Sequence, residues 1–424
     1  MDLFLASSPT RAVTASLLGG RIEDLLQAAR GMLAMPGLRG AVMVLAHAGH
    51  GNLLGLQSSV ADGGAVGHDL RADHEALFMH VAAVGVTVTL LGACAAVPEC
   101  WPPEVEQAGF LGTLMRLTEN VVTAASAVHD LGDPKPATRD ASKVRVKTRT
   151  RRLRPEVLVA HHDILPDVLD AGQVVAAARQ YEDFMHSWIT SPWAHGKPKL
   201  ANALTHYGAR STFATVMDTF EDGAAVTAVF AARMLLEEAA RFAWLTQDPQ
   251  DEDTFVQRST QYFDELRAKK RSTIAAFSGN GVALAAATRL LKMPDHVVEV
   301  PQTITKGRKR LPSVEKMLLL MGANFPEPGW LPAAYSLLSQ VTHSTPIGLM
   351  HMTRYRNQVL SGSDISPEML ALALDVACLG SATLIGGSGM MLTQGSAEGL
   401  EYAIGLMRHA LEVHNTARPV HGLD

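Results

Sequence analysis

The stretch Ala76–Val97 carries no formally charged side chain and is long enough to cross a bilayer as a helix. Two structures accommodate such a segment: a membrane-spanning helix, or a helix buried on all faces of a large helical protein. No cluster of Lys or Arg flanks the stretch closely, and it contains His80 among several Gly, Thr and Ala residues. These features favour the buried helix. We therefore predict a soluble protein with no membrane contact and a large core.

The composition favours packed helices over a sandwich of strands. Aromatic residues make up only 5% of the chain, whereas methionine alone occurs 18 times. Hydrophobic residues reach 47% and charged residues 19%, which is typical of a globular chain and not of a disordered one. The three cysteines form no CxxC pair, so a reducing compartment is expected. The sequence thus predicts an all-α, multi-helix bundle in the cytoplasm.

Proline and charge divide the chain near its first third. The segment 131–155 is rich in Pro, Lys and Arg and lacks helical periodicity. We predict a helical N-terminal region over 1–130, a basic linker or loop over 131–155, and a helical bundle domain over 156–424.

Several helices can be placed from their start signals and apolar spacing. Ser366-Pro367-Glu368 offers a capping hydroxyl, a proline at the first position and an acid in the first turn. The apolar helix that follows, to Met391, has Asp375 as its only charge, for which Arg354 or Arg356 is the expected partner. Other helices are predicted over 103–128, 224–245 and 397–413.

A cationic segment with a period of two lies in the linker, where basic residues alternate with Val and Thr. An extended strand with this pattern places every cation on one face, about 6.6–7 Å apart, a spacing that can follow a phosphate backbone. The alternative is a solvated linker that binds nothing. We predict a short extended segment near residues 143–152, with these candidate nucleic-acid-binding residues: Lys143, Arg145, Lys147, Arg149, Arg151 and Arg152.

No P-loop, HExxH, CxxC or GxSxG pattern occurs, so we predict no metal site and no cofactor. One weaker motif is present. Arg408 and His414 have the spacing of the Arg and His of helical ribonucleases of the HEPN class. In such a pair, imidazole can move a proton at a ribose hydroxyl and guanidinium can stabilise the phosphorane.

A second grouping of polar residues interrupts two apolar helices. Arg233 and Glu237 lie one turn apart on the first, and Ser339 and His343 one turn apart on the second. A polar stripe that is buried must find partners, so we expect the helices to pair, with Glu237 holding His343 and Arg233 near Ser339. Arg233, Glu237, Ser339 and His343 are therefore our candidate catalytic residues. The alternative is a structural hydrogen-bond network between two core helices.

At these residues the chain resembles a broad group of bacterial helical proteins of actinobacterial style. They share an R-x-x-x-E helix followed, about a hundred residues later, by a Y-S-x-x-S-x-x-x-H helix. The matching segments here are RMLLEEAARFAWL, from Arg233, and YSLLSQVTHS, from Tyr335. The resemblance covers the C-terminal half. It implies a loosely HEPN-like helical protein and supplies no reaction of its own.

Three functional hypotheses follow. The first is a nucleic-acid-associated effector of defence or stress, ribonuclease-like, with RNA or DNA as partner. The second is a non-catalytic sensor or scaffold that binds a small anion or a protein. The third is a small-molecule enzyme with an apolar, Met-rich pocket. Whether the chain is an enzyme or a homo-oligomer is left open by the sequence.

Overall fold

A computed structural model of the 424-residue chain describes residues 72–96, 104–129, 171–187, 200–221, 224–246, 252–275, 311–323, 329–343, 354–356, 359–361 and 365–423, with a few isolated positions. This part holds ten helices and one short hairpin. The helices are α1 (Ala72–Ala96), α2 (Glu104–His129), α3 (Gly172–Ser187), α4 (Leu200–Glu221), α5 (Ala225–Thr246), α6 (Glu252–Ala275), α7 (Val314–Gly322), α8 (Trp330–Thr342), α9 (Pro367–Leu392) and α10 (Ala397–His421). The predicted all-α bundle is confirmed.

The hairpin joins β1 (Arg354–Arg356) to the antiparallel β2 (Val359–Ser361). The extended basic segment predicted near 143–152 lies outside the described residues. The boundaries predicted for 1–130, 131–155 and 156–424 stay a prediction.

The chain divides into two compact units, and the first contains α1 and α2. These two helices run antiparallel, since Thr87 meets Thr118 near their middle and His80 meets His129 towards one end. The His80 Nδ1 and His129 Nε2 atoms lie 2.9 Å apart. The predicted helix over Ala76–Val97 is confirmed as α1, but the expectation that it is buried on all faces is wrong. Its described apolar side chains include three that are about half exposed: Phe78, Met79 and Val86.

The second unit is built around α9, which packs against α3, α4, α5, α8 and α10. The helix starts as predicted: the Ser366 side chain accepts from the Met369 amide at 3.2 Å, and Pro367 and Glu368 follow. Almost every side chain from Met369 to Gly389 is buried. Among the described helices, α9 alone combines the length and hydropathy of a membrane span, yet most of that span is enclosed by its neighbours. It is therefore the core helix of this unit.

Small residues let the neighbours approach α9 closely. A Cβ atom at Gly380 would lie 2.9 Å from the backbone carbon of Leu235 on α5. At Gly386, a Cβ would lie 3.3 Å from the Cβ of Ala403 on α10. Polar groups on α9 are also paired across these contacts: the Tyr181 hydroxyl of α3 lies 2.8 Å from the Ser381 hydroxyl. The packing thus places the few polar residues of α9 in fixed surroundings.

Candidate functional site

The two helices expected to pair are α5 and α8, and they are in contact. The Arg233 guanidinium donates from Nε to Ser339 Oγ at 3.0 Å and from Nη2 to the Tyr335 hydroxyl at 3.0 Å. It also lies over the Tyr335 ring, 5.1 Å from the ring centre, a cation–π distance. The predicted contact between Arg233 and Ser339 is therefore confirmed.

Glu237 is the buried anion of this cluster, with 3% of its surface exposed. Its Oε1 accepts from Arg241, and its Oε2 lies 3.4 Å from Arg233 Nη2 and 3.5 Å from the Tyr335 hydroxyl. Arg241 also donates to Glu238. Burial acts against the charge of Arg241, but Glu238 and Glu237 together raise its pKa above the ordinary value. Both arginines are thus paired with carboxylates of their own helix.

His343 does not join this cluster. Helix α8 ends at Thr342, and His343 is its C-cap, exposed to solvent, with its amide donating to the Ser339 carbonyl at 3.0 Å. The expectation that Glu237 holds His343 is wrong. Because the helix ends at Thr342, one residue before His343, the side chain of His343 does not continue the buried face of α8. The Tyr335 hydroxyl takes the place beside Glu237 that was assigned to the imidazole.

The alternative ribonuclease pair, Arg408 and His414, also fails to converge. Both lie on α10, but Arg408 is exposed and His414 is buried. Six positions on a helix correspond to a rotation of about 240°, so the two side chains leave the helix on different sides. The Arg408 side chain is exposed to solvent, whereas the His414 imidazole contacts Asp375 in the core.

His414 instead contacts Asp375, the only charged residue of the core helix beyond its first turn. The His414 Nδ1 lies 2.8 Å and the His421 Nε2 3.0 Å from the same Asp375 oxygen, Oδ2. Asp375 is completely buried, and the other oxygen, Oδ1, accepts no hydrogen bond from any described group. The expected arginine partners, Arg354 and Arg356, have side chains outside the described atoms. The described partners are two histidines.

Trp330, at the start of α8, covers both imidazoles. Its ring stacks on His414 with centres 5.0 Å apart and on His421 with centres 5.8 Å apart, at interplanar angles of 22° and 16°. Trp330 is itself buried. Three helices therefore meet here: α9 supplies the carboxylate, α10 the two imidazoles and α8 the aromatic cover.

The hydrogen bonds indicate which nitrogen atoms carry protons in the triad formed by Asp375, His414 and His421. The Leu423 amide donates to His421 Nδ1 at 3.1 Å, so that nitrogen carries a lone pair. The proton of a neutral His421 is then on Nε2, where it is donated to Asp375. His414 donates from Nδ1 to the same oxygen in the same way. A buried carboxylate stabilised by two donors on one oxygen leaves the second oxygen unsatisfied, at a cost of about 1–3 kcal/mol.

The triad also has the composition of a metal site, which the sequence prediction missed. One ligand atom from each of Asp375, His414 and His421 lies within 4.8 Å of the others. The sequence held a signal: His414 and His421 are seven positions apart, so they share one face of a helix within about 20°. That pair faces a helix whose only charge beyond its first turn is Asp375.

The candidate nucleic-acid-binding residues, Lys143 to Arg152, lie outside the described residues, so their role stays a prediction. Comparison with known proteins gave no family model, no curated protein and no solved structure that matches this chain.

Proposed function

We propose that this chain acts by binding, as a sensor or scaffold, and that its Arg233–Glu237 cluster stabilises the helical fold. One observation carries the proposal. The charged groups that were candidates for catalysis face one another inside the protein, whereas the imidazole meant to move a proton, His343, is exposed at a helix end.

The chemistry of the cluster supports binding over catalysis. A general acid or base must lie within hydrogen-bond reach of the reacting group and be able to exchange its proton. The two oxygens of Glu237 already face the guanidinium groups of Arg233 and Arg241, so its carboxylate is turned towards its own helix and not towards a reacting group. Arg233 in turn donates hydrogen bonds to the hydroxyl groups of Ser339 and Tyr335. These groups are arranged to satisfy each other.

RNA or DNA remains within the proposal as a bound partner, and the basic segment 143–152 is the surface that would hold its phosphates. Such binding would be electrostatic and would weaken steeply with salt. Location in the cytoplasm is part of the same proposal.

The test is RNA cleavage by the full chain, measured beside thermal melting. Parent, His343→Ala and Glu237→Gln are incubated with a labelled single-stranded RNA. We expect no cleavage that depends on either residue, a lower melting temperature for Glu237→Gln, and an unchanged one for His343→Ala. Cleavage by the parent that His343→Ala abolishes at unchanged melting temperature would overturn the proposal.

A further inference from the structure

We infer that Asp375, His414 and His421 form a binding site for one divalent transition-metal ion of the zinc class. The inference rests on the proposed function in one respect, since it names the ligand that such a sensor takes. Two imidazole nitrogens and one carboxylate oxygen are the donors that Zn²⁺, Fe²⁺, Co²⁺ and Ni²⁺ share as preferred ligands. Three protein ligands leave at least one position on the ion for water or a further group.

The distances are close to those of a chelate. Metal bonds to imidazole and carboxylate are about 2.0–2.2 Å long, which sets neighbouring ligand atoms about 3.0 Å apart in an octahedron and about 3.4 Å apart in a tetrahedron. Here Asp375 Oδ2 lies 2.8 Å from His414 Nδ1 and 3.0 Å from His421 Nε2. These two oxygen-to-nitrogen distances are within a few tenths of an ångström of those around an ion, and one ligand atom from each of the three residues lies within 4.8 Å of the others.

A separate observation points to a missing cation. Asp375 is fully buried, and its Oδ1 has no hydrogen-bond partner among the described groups. Nearly all buried polar atoms in proteins are satisfied, so an unpartnered carboxylate oxygen in a core needs an explanation. An ion held by both oxygens of the carboxylate would give Oδ1 a partner and would compensate the buried negative charge.

The three ligands lie on two helices that pack against each other. Asp375 lies in the third turn of the core helix α9, and the two histidines lie two turns apart on α10, where His421 is the last residue. Trp330 stacks on both rings and restricts their rotation. Ligands that are fixed on helices and packed by a second layer need little reorganisation to bind.

Binding requires that two protons change position. A neutral imidazole offers the metal its lone pair and keeps its proton on the other nitrogen. His414 must move its proton from Nδ1 to Nε2, and His421 from Nε2 to Nδ1. At His421 the Leu423 amide already donates to Nδ1, so that contact must break when the proton arrives. The Leu423 amide therefore competes with the metal.

The experiment is a titration of the metal-stripped full chain with Co²⁺, followed by its visible absorption, and with Zn²⁺, followed by calorimetry. We expect one ion per chain. Asp375→Asn and His421→Gln should each weaken binding by at least about 100-fold, since changing even an outer partner of a metal ligand costs 10- to 100-fold. The matched control is His409→Gln, on the same helix, where the imidazole pairs with Glu412 at the surface. It should bind as the parent does.

A second variant keeps all three ligands, and its fold is checked by circular dichroism because residue 423 follows Gly422 in a left-handed conformation and packs against the core. Leu423→Pro removes the competing amide hydrogen, so we expect tighter Zn²⁺ binding than in the parent. Co²⁺ bound beneath Trp330 should also quench part of the tryptophan fluorescence, and Trp330→Phe should remove that part. Equal affinities for the parent, Asp375→Asn and His409→Gln, or no ion bound by the parent, would overturn the inference.

The two proposals fail in different ways. If one metal ion binds per chain and RNA cleavage requires that ion, the metal site is supported and the proposed sensor or scaffold function is overturned. Absence of bound metal together with absence of cleavage would overturn the metal site alone.

Discussion

Replacing Glu237 by Gln tests whether the α5–α8 cluster stabilises the fold. The change keeps the shape of the side chain and removes its charge. Arg233 and Arg241 are each only 8% exposed, so water can do little to compensate them. After the change, Arg241 still faces Glu238, whereas Arg233 keeps only the hydroxyls of Ser339 and Tyr335.

The expected loss in the free energy of unfolding follows from these contacts. Removing one partner of a buried ion pair costs about 3–5 kcal/mol, because a charge is left without compensation in the core. Since one of the two arginines retains a carboxylate, we expect the lower end, about 3 kcal/mol. Glu238→Gln is the matched control: its side chain is more exposed, and Arg241 keeps Glu237. We expect a loss of about 1 kcal/mol there.

The assay is urea unfolding followed by helical circular dichroism, with tryptophan fluorescence as a second probe. Fluorescence near α5 and α8 reports this unit through Trp244 and Trp330. Two transitions are expected from two compact units, and the loss should appear in the one that these tryptophans report. A Glu237→Gln variant that unfolds within about 1 kcal/mol of the parent would refute the structural role of the cluster.

Three further predictions follow from the packing and the charges. Gly380→Ala should lower stability by about 1–3 kcal/mol, because its Cβ would meet the Leu235 backbone; an unchanged melting temperature would contradict that close approach. Burial, with Arg210 adding to it, lowers the pKa of His206 from 6.5 to about 4, so the unfolded chain binds a proton more readily than the folded one. Stability should therefore fall by about 3 kcal/mol as the pH falls from 6.5 to about 4, and a His206→Gln variant that kept the full pH dependence in urea unfolding would exclude this source. Replacing Arg145, Lys147 and Arg149 together by alanine should weaken binding of the chain to RNA and flatten its salt dependence. Binding equal to that of the parent would refute the phosphate-tracking role of the segment 143–152.

Local signals placed the helices well. Ser366 caps α9 because its hydroxyl accepts from the amide three residues on, a feature that can be recognised in the sequence alone. The helices predicted over 103–128 and 224–245 are observed one residue later at each end. The last helix was predicted to stop at 413 but continues to His421, with Pro419 inside its last turn.

The site was only partly predictable, because it depends on which helix faces meet. The meeting of Arg233 with Ser339 follows from burial of two polar stripes. The exposure of His343 depends on where α8 ends, and helix ends are set by tertiary contacts as much as by sequence. Asp375 was recognised as needing a partner, but its two histidines lie on α10. The register of α10 against α9 cannot be predicted from the pattern of a single sequence.

The most direct test of the account is the X-ray absorption spectrum of the Zn²⁺-loaded chain at the zinc edge. We expect a first shell of nitrogen and oxygen at about 2.0–2.2 Å, with the outer scattering of two imidazole rings that drops to one ring in His421→Gln. A spectrum without imidazole scattering, or one that His421→Gln leaves unchanged, would contradict the assignment of Asp375, His414 and His421 as the ligands.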